Sequence, residues 1–220
     1  MRRSIPRIVA VCAAVAWAAM WWLTDSGTDV SSSRQPRVPR LATQKHYVTP
    51  TQLVESGALA GRKVRSFSAV ARDGTVFTWP RMNETRPLVL VFIRRDCPCN
   101  VEFEPFFHRL AGRYRDVVEF AGVIDAGADT AFAYATANKT PYRVLADPDR
   151  AIIDQCEAKN GGYVALLRPD GVLDTLWPGC SAAMMRELGR RIAELGAVTE
   201  RSIDVAGMPG ALTTGCPFEP

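Results

Sequence analysis

Leu88-Val-Leu-Val-Phe-Ile93 runs directly into Arg94-Arg95-Asp96-Cys97-Pro98-Cys99. Six consecutive apolar residues, rich in β-formers, read as a strand covered on both faces. From about residue 98 to 115 the spacing of Val101, Phe106 and Leu110 is helical, so the two cysteines fall at a strand-to-helix junction. A cysteine there meets N–H groups that have no partner within the helix, and the positive end of its dipole, which favours the thiolate. Arg94 and Arg95 add to this effect, and Asp96 and Glu102 oppose it.

Working outward, Val64 to Val70 and Thr75 to Trp79 flank Arg72-Asp73-Gly74 as a hairpin. Downstream, Val117 to Ile124 reads as a second buried strand, 128 to 138 as a helix, and Tyr142 to Leu145 as a short extended piece. Asp147-Pro148 opens a helix from Asp149 to Ala158. Two strands, Tyr163 to Leu167 and Val172 to Trp177, surround the Pro169-Asp170-Gly171 turn, and Ser181 caps a helix to about Leu195. Hairpin, βαβ crossover, hairpin and helix make a mixed sheet with helices on both faces. From Gly196 to Pro220 the sequence shows little pattern of its own.

Over about residues 60 to 196 this arrangement resembles the thioredoxin-like superfamily, in particular its redoxin branch of alkyl hydroperoxide reductases and thiol-specific antioxidants. The residues that carry the resemblance are the Asp73-Gly74 hairpin, the strand ending before Cys97-Pro98, Pro105 eight residues after Cys97, and the Arg168-Pro169-Asp170-Gly171 turn before the last helix. It implies an α/β fold of three layers, α/β/α, around a central mixed sheet. It puts Cys97 at the nucleophile position, and Cys99 one residue short of the usual second cysteine, where Asn100 stands. It also implies a cis-proline facing the cysteines, at a place that here holds Gly162. Peroxide-reducing members need a Thr three residues and a Pro seven residues before the cysteine, positions held here by Arg94 and Leu90.

The resemblance leads to a thiol–disulfide oxidoreductase acting on protein or small-molecule thiols and disulfides, with Cys97 and Cys99 catalytic, Cys156 a resolving thiol or a core cysteine, and no cofactor or metal. Arg94, Arg95, Pro98 and Gly162 form the surroundings of the site; separately, an oxidising compartment permits a structural disulfide between Cys180 and Cys216 that would pin the tail. Alternatives are a peroxiredoxin-like peroxide reductase, a Cu(I) protein like the Sco proteins, in which two soft sulfurs hold the ion, and a redox-silent interaction module. For Cys97 and Cys99 the plainer reading is a chance pair of buried thiols or a purely structural bond. His108 reads as a surface or packing residue, and Phe103, Phe106 and Phe107 as core.

Seven Lys/Arg against two Asp lie between residues 1 and 46, so the +4 net charge belongs to that segment and the remainder is close to neutral. A near-neutral domain without basic stripes argues against nucleic-acid binding. Arg2, Arg3 and Arg7 precede an apolar run from Ile8 to Leu23 that ends near Trp21-Trp22. This describes a signal anchor or a signal peptide over 1–23, spanning the membrane at 8–23 if retained, with the rest on the extracytoplasmic side. A Ser-, Pro- and Arg-rich linker follows over 24–46, then the redoxin domain over 47–196 and a tail over 197–220. Five cysteines lie beyond the apolar run, an odd number, so at least one has no partner within the chain.

Overall fold

The computed structural model describes residues 46–71, 73–81 and 84–218, so the apolar run and all of the linker except His46 lie outside the described residues. In chain order the elements are β1 (His46–Tyr47), α1 (Pro50–Ala58), β2 (Phe67–Val70), β3 (Val76–Trp79), β4 (Leu88–Ile93), α2 (Pro98–Tyr114), β5 (Glu119–Ile124), α3 (Ala128–Asn138), β6 (Arg143–Ala146), α4 (Ala151–Gln155), β7 (Val164–Leu167), β8 (Leu173–Trp177), α5 (Ala182–Leu195) and β9 (Thr213–Thr214).

The strand of the deciding stretch is the middle of the fold. β4 sits at the centre of a five-stranded sheet ordered β6-β5-β4-β7-β8, parallel to β5 and antiparallel to β7. Every residue of β4 is at most 3% exposed. Its side chains alternate, as a strand requires. Val89, Val91 and Ile93 enter the core formed with α2 and α5, whereas Leu88, Leu90 and Phe92 enter the core on the other face. α2 contributes Phe103, Phe107 and Leu110 to the first core and α5 contributes Met185, Leu188 and Ile192. Against the second face lie Phe67, Phe77 and Trp79 of the hairpin, with Ile152 and Ile153 of α4. The β2–β3 hairpin forms a separate two-stranded sheet, joined to the central one by a bridge from Ala71 to Leu145. A strand ladder whose polar backbone is paired and whose two faces are both covered gives β4 one register and one end point, which fixes where the following loop begins.

The helix expected over Asp149 to Ala158 is the shorter α4, bounded by left-handed backbone at Arg150 and Glu157, and two further features differ from the sequence expectation. α1 opens on a capping box in which Thr49 accepts from the Gln52 N–H, and the Gln52 side chain returns to the Thr49 N–H. Leu53 and Val54 of this helix remain exposed and only Ser56 is buried, so it carries no apolar face for periodicity to reveal. The tail, in turn, is held by backbone pairing. β9 pairs antiparallel with β1, Thr213 exchanges N–H to O=C bonds with Cys180 at 2.7 and 3.0 Å, and Phe218 N–H reaches Lys159 O at 2.9 Å. Main-chain hydrogen bonds carry no side-chain signature, which is why this segment reads as patternless. Ser181 caps α5 as expected, accepting from the Met184 N–H at 3.1 Å.

Leu90 is fully buried, between Ala121 of β5 and Ala165 of β7 in register. Leu90→Ala removes that packing and leaves a cavity between two small neighbours. The expected loss in a urea unfolding curve is about 2–5 kcal/mol, with little change in slope.

Candidate active site

β4 ends at Ile93, and the loop from Arg94 to Asp96 turns the chain into α2. Asp96 takes a left-handed conformation at φ 59°, one that Asp tolerates better than most residues. Cys97 is then the N-cap, with extended backbone at φ −89°, ψ 114°, and Pro98 occupies the first helical position. Proline is suited there because its missing N–H would have had no partner within the helix. Cys99 follows in the same first turn. Pro105, inside α2, removes one helical donor further along.

The surroundings of Cys97 come from two places remote in sequence. One is the Asn160-Gly161-Gly162 loop before β7. Gly162 has φ 80°, and its N–H donates to Phe92 O at 2.7 Å. A Cβ on Gly161 would stand 2.8 Å from Asn100 Oδ1 and 3.0 Å from the Arg94 nitrogen, so this loop approaches the cysteine turn closely only because it lacks a side chain. The second is the tail. Gly215 N–H donates to Gly161 O at 2.6 Å, Gly161 N–H donates to Cys216 O at 2.9 Å, and the Asn160 amide donates to Gly215 O at 2.9 Å. The Arg94 guanidinium donates to Pro217 O at 3.1 Å. This ladder lays the tail along the 159–161 edge and places Cys216 over the cysteine turn: its backbone N–H donates to Cys97 Sγ at 3.2 Å.

These donors decide the ionisation. The Cys97 thiol is lowered to about 5, first by the Cys99 thiol donating to its sulfur and then, against burial, by the amide and thiol of Cys216 and the amide of Cys99. Cys99 is raised, first because it is the donor to Cys97 and next by burial. Cys216 is pushed up to about 11, by burial first and then by Cys97. The donors thus favour the anion at Cys97, with Cys99 and Cys216 as the groups that keep their protons. The sequence expectation assigned this ionisation to the helix terminus with help from Arg94 and Arg95. The structure ranks a neighbouring thiol first, with the helix amide of Cys99 a smaller contribution. The Arg94 side chain is engaged with backbone carbonyls of Pro217 and Arg95, and Arg95 points outward, 59% exposed.

The other predicted residues fall as follows. Cys156 packs in the core on the opposite face of the sheet from Cys97 and is raised to about 12 by burial, so it is not brought to the cysteine pair. Cys180 is fully buried, its thiol donating to Gly162 O at 3.4 Å, and burial raises it. It is not bonded to Cys216: both are free thiols. The physical reason lies in the tail's register, since Thr213 is the residue paired with Cys180 and Cys216 lies three residues further on, over Cys97. His108 shares a 3.0 Å contact with the buried Glu104, which also accepts from the Tyr134 and Tyr142 hydroxyls at 2.9 Å. Burial raises the Glu104 carboxyl. Among the described residues no group of three or more His, Cys, Asp or Glu is disposed to hold a metal ion. The tail's place at the site was missed in the sequence; the odd cysteine count and the small Gly215 beside Cys216 were the available signals.

No protein-family model and no curated protein matches the chain. Solved structures do. A candidate protein disulfide isomerase from Bacteroides thetaiotaomicron superposes with a TM-score of 0.56 at 16% identity, over 70% of this chain and 94% of that one. A candidate thiol:disulfide interchange protein DsbE from Chlorobium tepidum gives 0.56 at 17%, over 62% and 97%. The peroxidoxin BcpB from Mycobacterium tuberculosis gives 0.52 at 18%, over 65% and 98%. The chain has the thioredoxin-like fold. At the place where the resemblance implies a cis-proline, this thioredoxin-like chain has Gly161-Gly162, and the cis peptide bond among its described residues is Trp79-Pro80.

Removing the Cys99 donor tests the ranking of influences. A hydrogen bond to a charged group is worth about 1.5–3 kcal/mol, and one pKa unit is about 1.4 kcal/mol. Cys99→Ala is therefore expected to move the midpoint of Cys97 alkylation against pH upward by about one to two units, whereas Arg95→Ala leaves it in place.

Proposed function

We propose that the chain is a thiol–disulfide oxidoreductase, tethered to a membrane by residues 8–23 and working on the extracytoplasmic side through Cys97-Pro98-Cys99. The observation that carries the reading is the placing of Cys97 as the N-cap residue of α2 at the end of the central strand, its sulfur 3.2 Å from the Cys216 N–H, an arrangement of donors that lowers its pKa. A thiolate is the attacking species in disulfide exchange. Cys97 attacks one sulfur of a substrate disulfide, that S–S bond breaks, and the displaced sulfur leaves as a thiolate that takes up a proton. A second protein thiol then attacks the mixed disulfide at the Cys97 sulfur and releases the reduced substrate. Cys99 is in place to hold Cys97 ionised, and Cys156 is on the wrong face of the sheet to take part.

A sulfur of low pKa is also a good leaving group, so the disulfide that Cys97 forms is opened readily by an incoming thiol. The stabilised thiolate favours the reduced pair, which makes the couple more oxidising than one built from ordinary thiols. The disulfide isomerase and interchange proteins among the structural neighbours are consistent with this chemistry, and the tether is supported by the Arg-flanked apolar run of the sequence.

Reduced full-length protein mixed with a small aromatic disulfide is expected to release the coloured thiol, and Cys97→Ser to suppress that release by about a hundredfold or more, because every other described thiol is protonated. Equal rates for the two proteins contradict the reading. On fractionation of cells making the full chain, the protein is expected to stay with the membranes through a high-salt wash; recovery in the soluble cytoplasmic fraction contradicts the tether.

A further inference from the structure

The tail's pairing with the 159–161 edge raises the question of what that edge is for. Its backbone groups are met by an extended segment running antiparallel, from Gly215 to Phe218, and the sulfur of that segment sits over Cys97. An extended peptide lying on the same edge would present its own sulfur at the same point. The tail also shields the nucleophile, since Cys97 is only 4% exposed. We propose that Cys216 is the second catalytic sulfur of the exchange reaction, carried on a tail strand that leaves the 159–161 edge to admit a disulfide-bearing peptide and returns to resolve the mixed disulfide.

This inference rests on the oxidoreductase reading and selects among its thiols. Cys97 and Cys99 are separated by a single proline whose φ is fixed, inside the first turn of a helix. Joining them closes a small ring against that geometry. Cys216 approaches from outside the helix, on a strand with no such constraint. Its attachment is by main-chain hydrogen bonds to residues 159–161 and by the Phe218 side chain on the second core, a smaller set of contacts than those of the central sheet and one that opens locally at less cost. Gly215 permits the approach: a Cβ there would lie 2.6 Å from Gly161 O and 3.2 Å from Cys97 Sγ.

The step balances as follows. After Cys97 has attacked the substrate disulfide R–S–S–R′ and released R′–SH, Cys216 gives up its proton to solvent and its sulfur attacks Cys97 Sγ. The bond from Cys97 to the R sulfur breaks, and R–S⁻ leaves and is protonated. The substrate has gained two electrons from the Cys97–Cys216 pair and two protons, one given up by Cys216 and one taken from solvent, because Cys97 enters the reaction already ionised. With the burial and the Cys97 anion relieved in the mixed disulfide, Cys216 is released from the influences that hold its proton in the resting site.

The test uses the reduced full chain, oxidised with one equivalent of glutathione disulfide, quenched by alkylation and cleaved with trypsin. Peptide 96–109 holds Cys97 and Cys99, and peptide 202–220 holds Cys216. The expected product in the wild type and in Cys99→Ser is a cross-link between these two peptides, with fragmentation placing it at Cys97. In Cys216→Ser, glutathione is expected to remain on Cys97, its release slowed about tenfold or more by loss of the positioned thiol. Gly215→Val keeps all sulfurs but forces the tail off the edge, and is expected to show the same retained glutathione. A Cys97–Cys99 bond in the wild type, or release from Cys216→Ser at the wild-type rate, overturns the inference and leaves the oxidoreductase reading standing. A Cys97 that takes no glutathione in any of the proteins overturns that reading itself, and this one with it.

Discussion

A sulfur anion in a protein persists only where donors reach it, and Cys97 is met by donors from two directions. From the helix side come the thiol and amide of Cys99; from the tail come the amide and thiol of Cys216. Burial alone would protonate this group, as it does Cys156 and Cys180, which are more deeply enclosed and lack donors from neighbouring thiols. The contrast among cysteines of one chain separates the two effects: desolvation raises all of them, and hydrogen bonding to the charged form reverses the sign at one.

The rest of the fold serves that convergence. β4, with both faces covered, delivers the chain to Ile93 and fixes the origin of α2; β7, its antiparallel neighbour, brings the Gly161-Gly162 loop to the same end of the sheet. Phe92 and Gly162 are tied by a 2.7 Å backbone bond, so the loop and the strand end move together. Gly161 allows the loop to lie against Arg94 and Asn100, and Gly162 lets it lie against Phe103 and the tail at Gly215. The site is thus assembled from the chain's centre, a loop some 65 residues later and a segment beside the C-terminus.

What could be read in advance follows from the same physics. Leu88–Ile93, Pro98–Tyr114, Ala128–Asn138 and Ala182–Leu195 announce themselves because burial imposes an unbroken apolar run on the strand and favours helical spacing elsewhere, and each lies where the sequence places it to within a residue or two. Cys97 and Cys99 were legible from their position between a buried strand and a helix. Cys216 was legible only as a cysteine. Its role depends on a ladder of main-chain bonds to Lys159 and Gly161, and backbone groups are the same in every residue but proline, so no side-chain pattern marks them. The pairing expected between Cys180 and Cys216 fails for a related reason: the register of the tail, which sets Thr213 opposite Cys180, is a property of the backbone.

The central claim concerns one ionisation, and the ultraviolet absorbance of the thiolate reports it without chemical modification. The reduced full chain is titrated from acid to neutral pH and compared with Cys97→Ser. The account predicts that one thiolate appears with a midpoint near pH 5 in the native chain and is missing from the variant. An absorbance that stays at the thiol baseline up to about pH 8, where an ordinary cysteine begins to ionise, would contradict it.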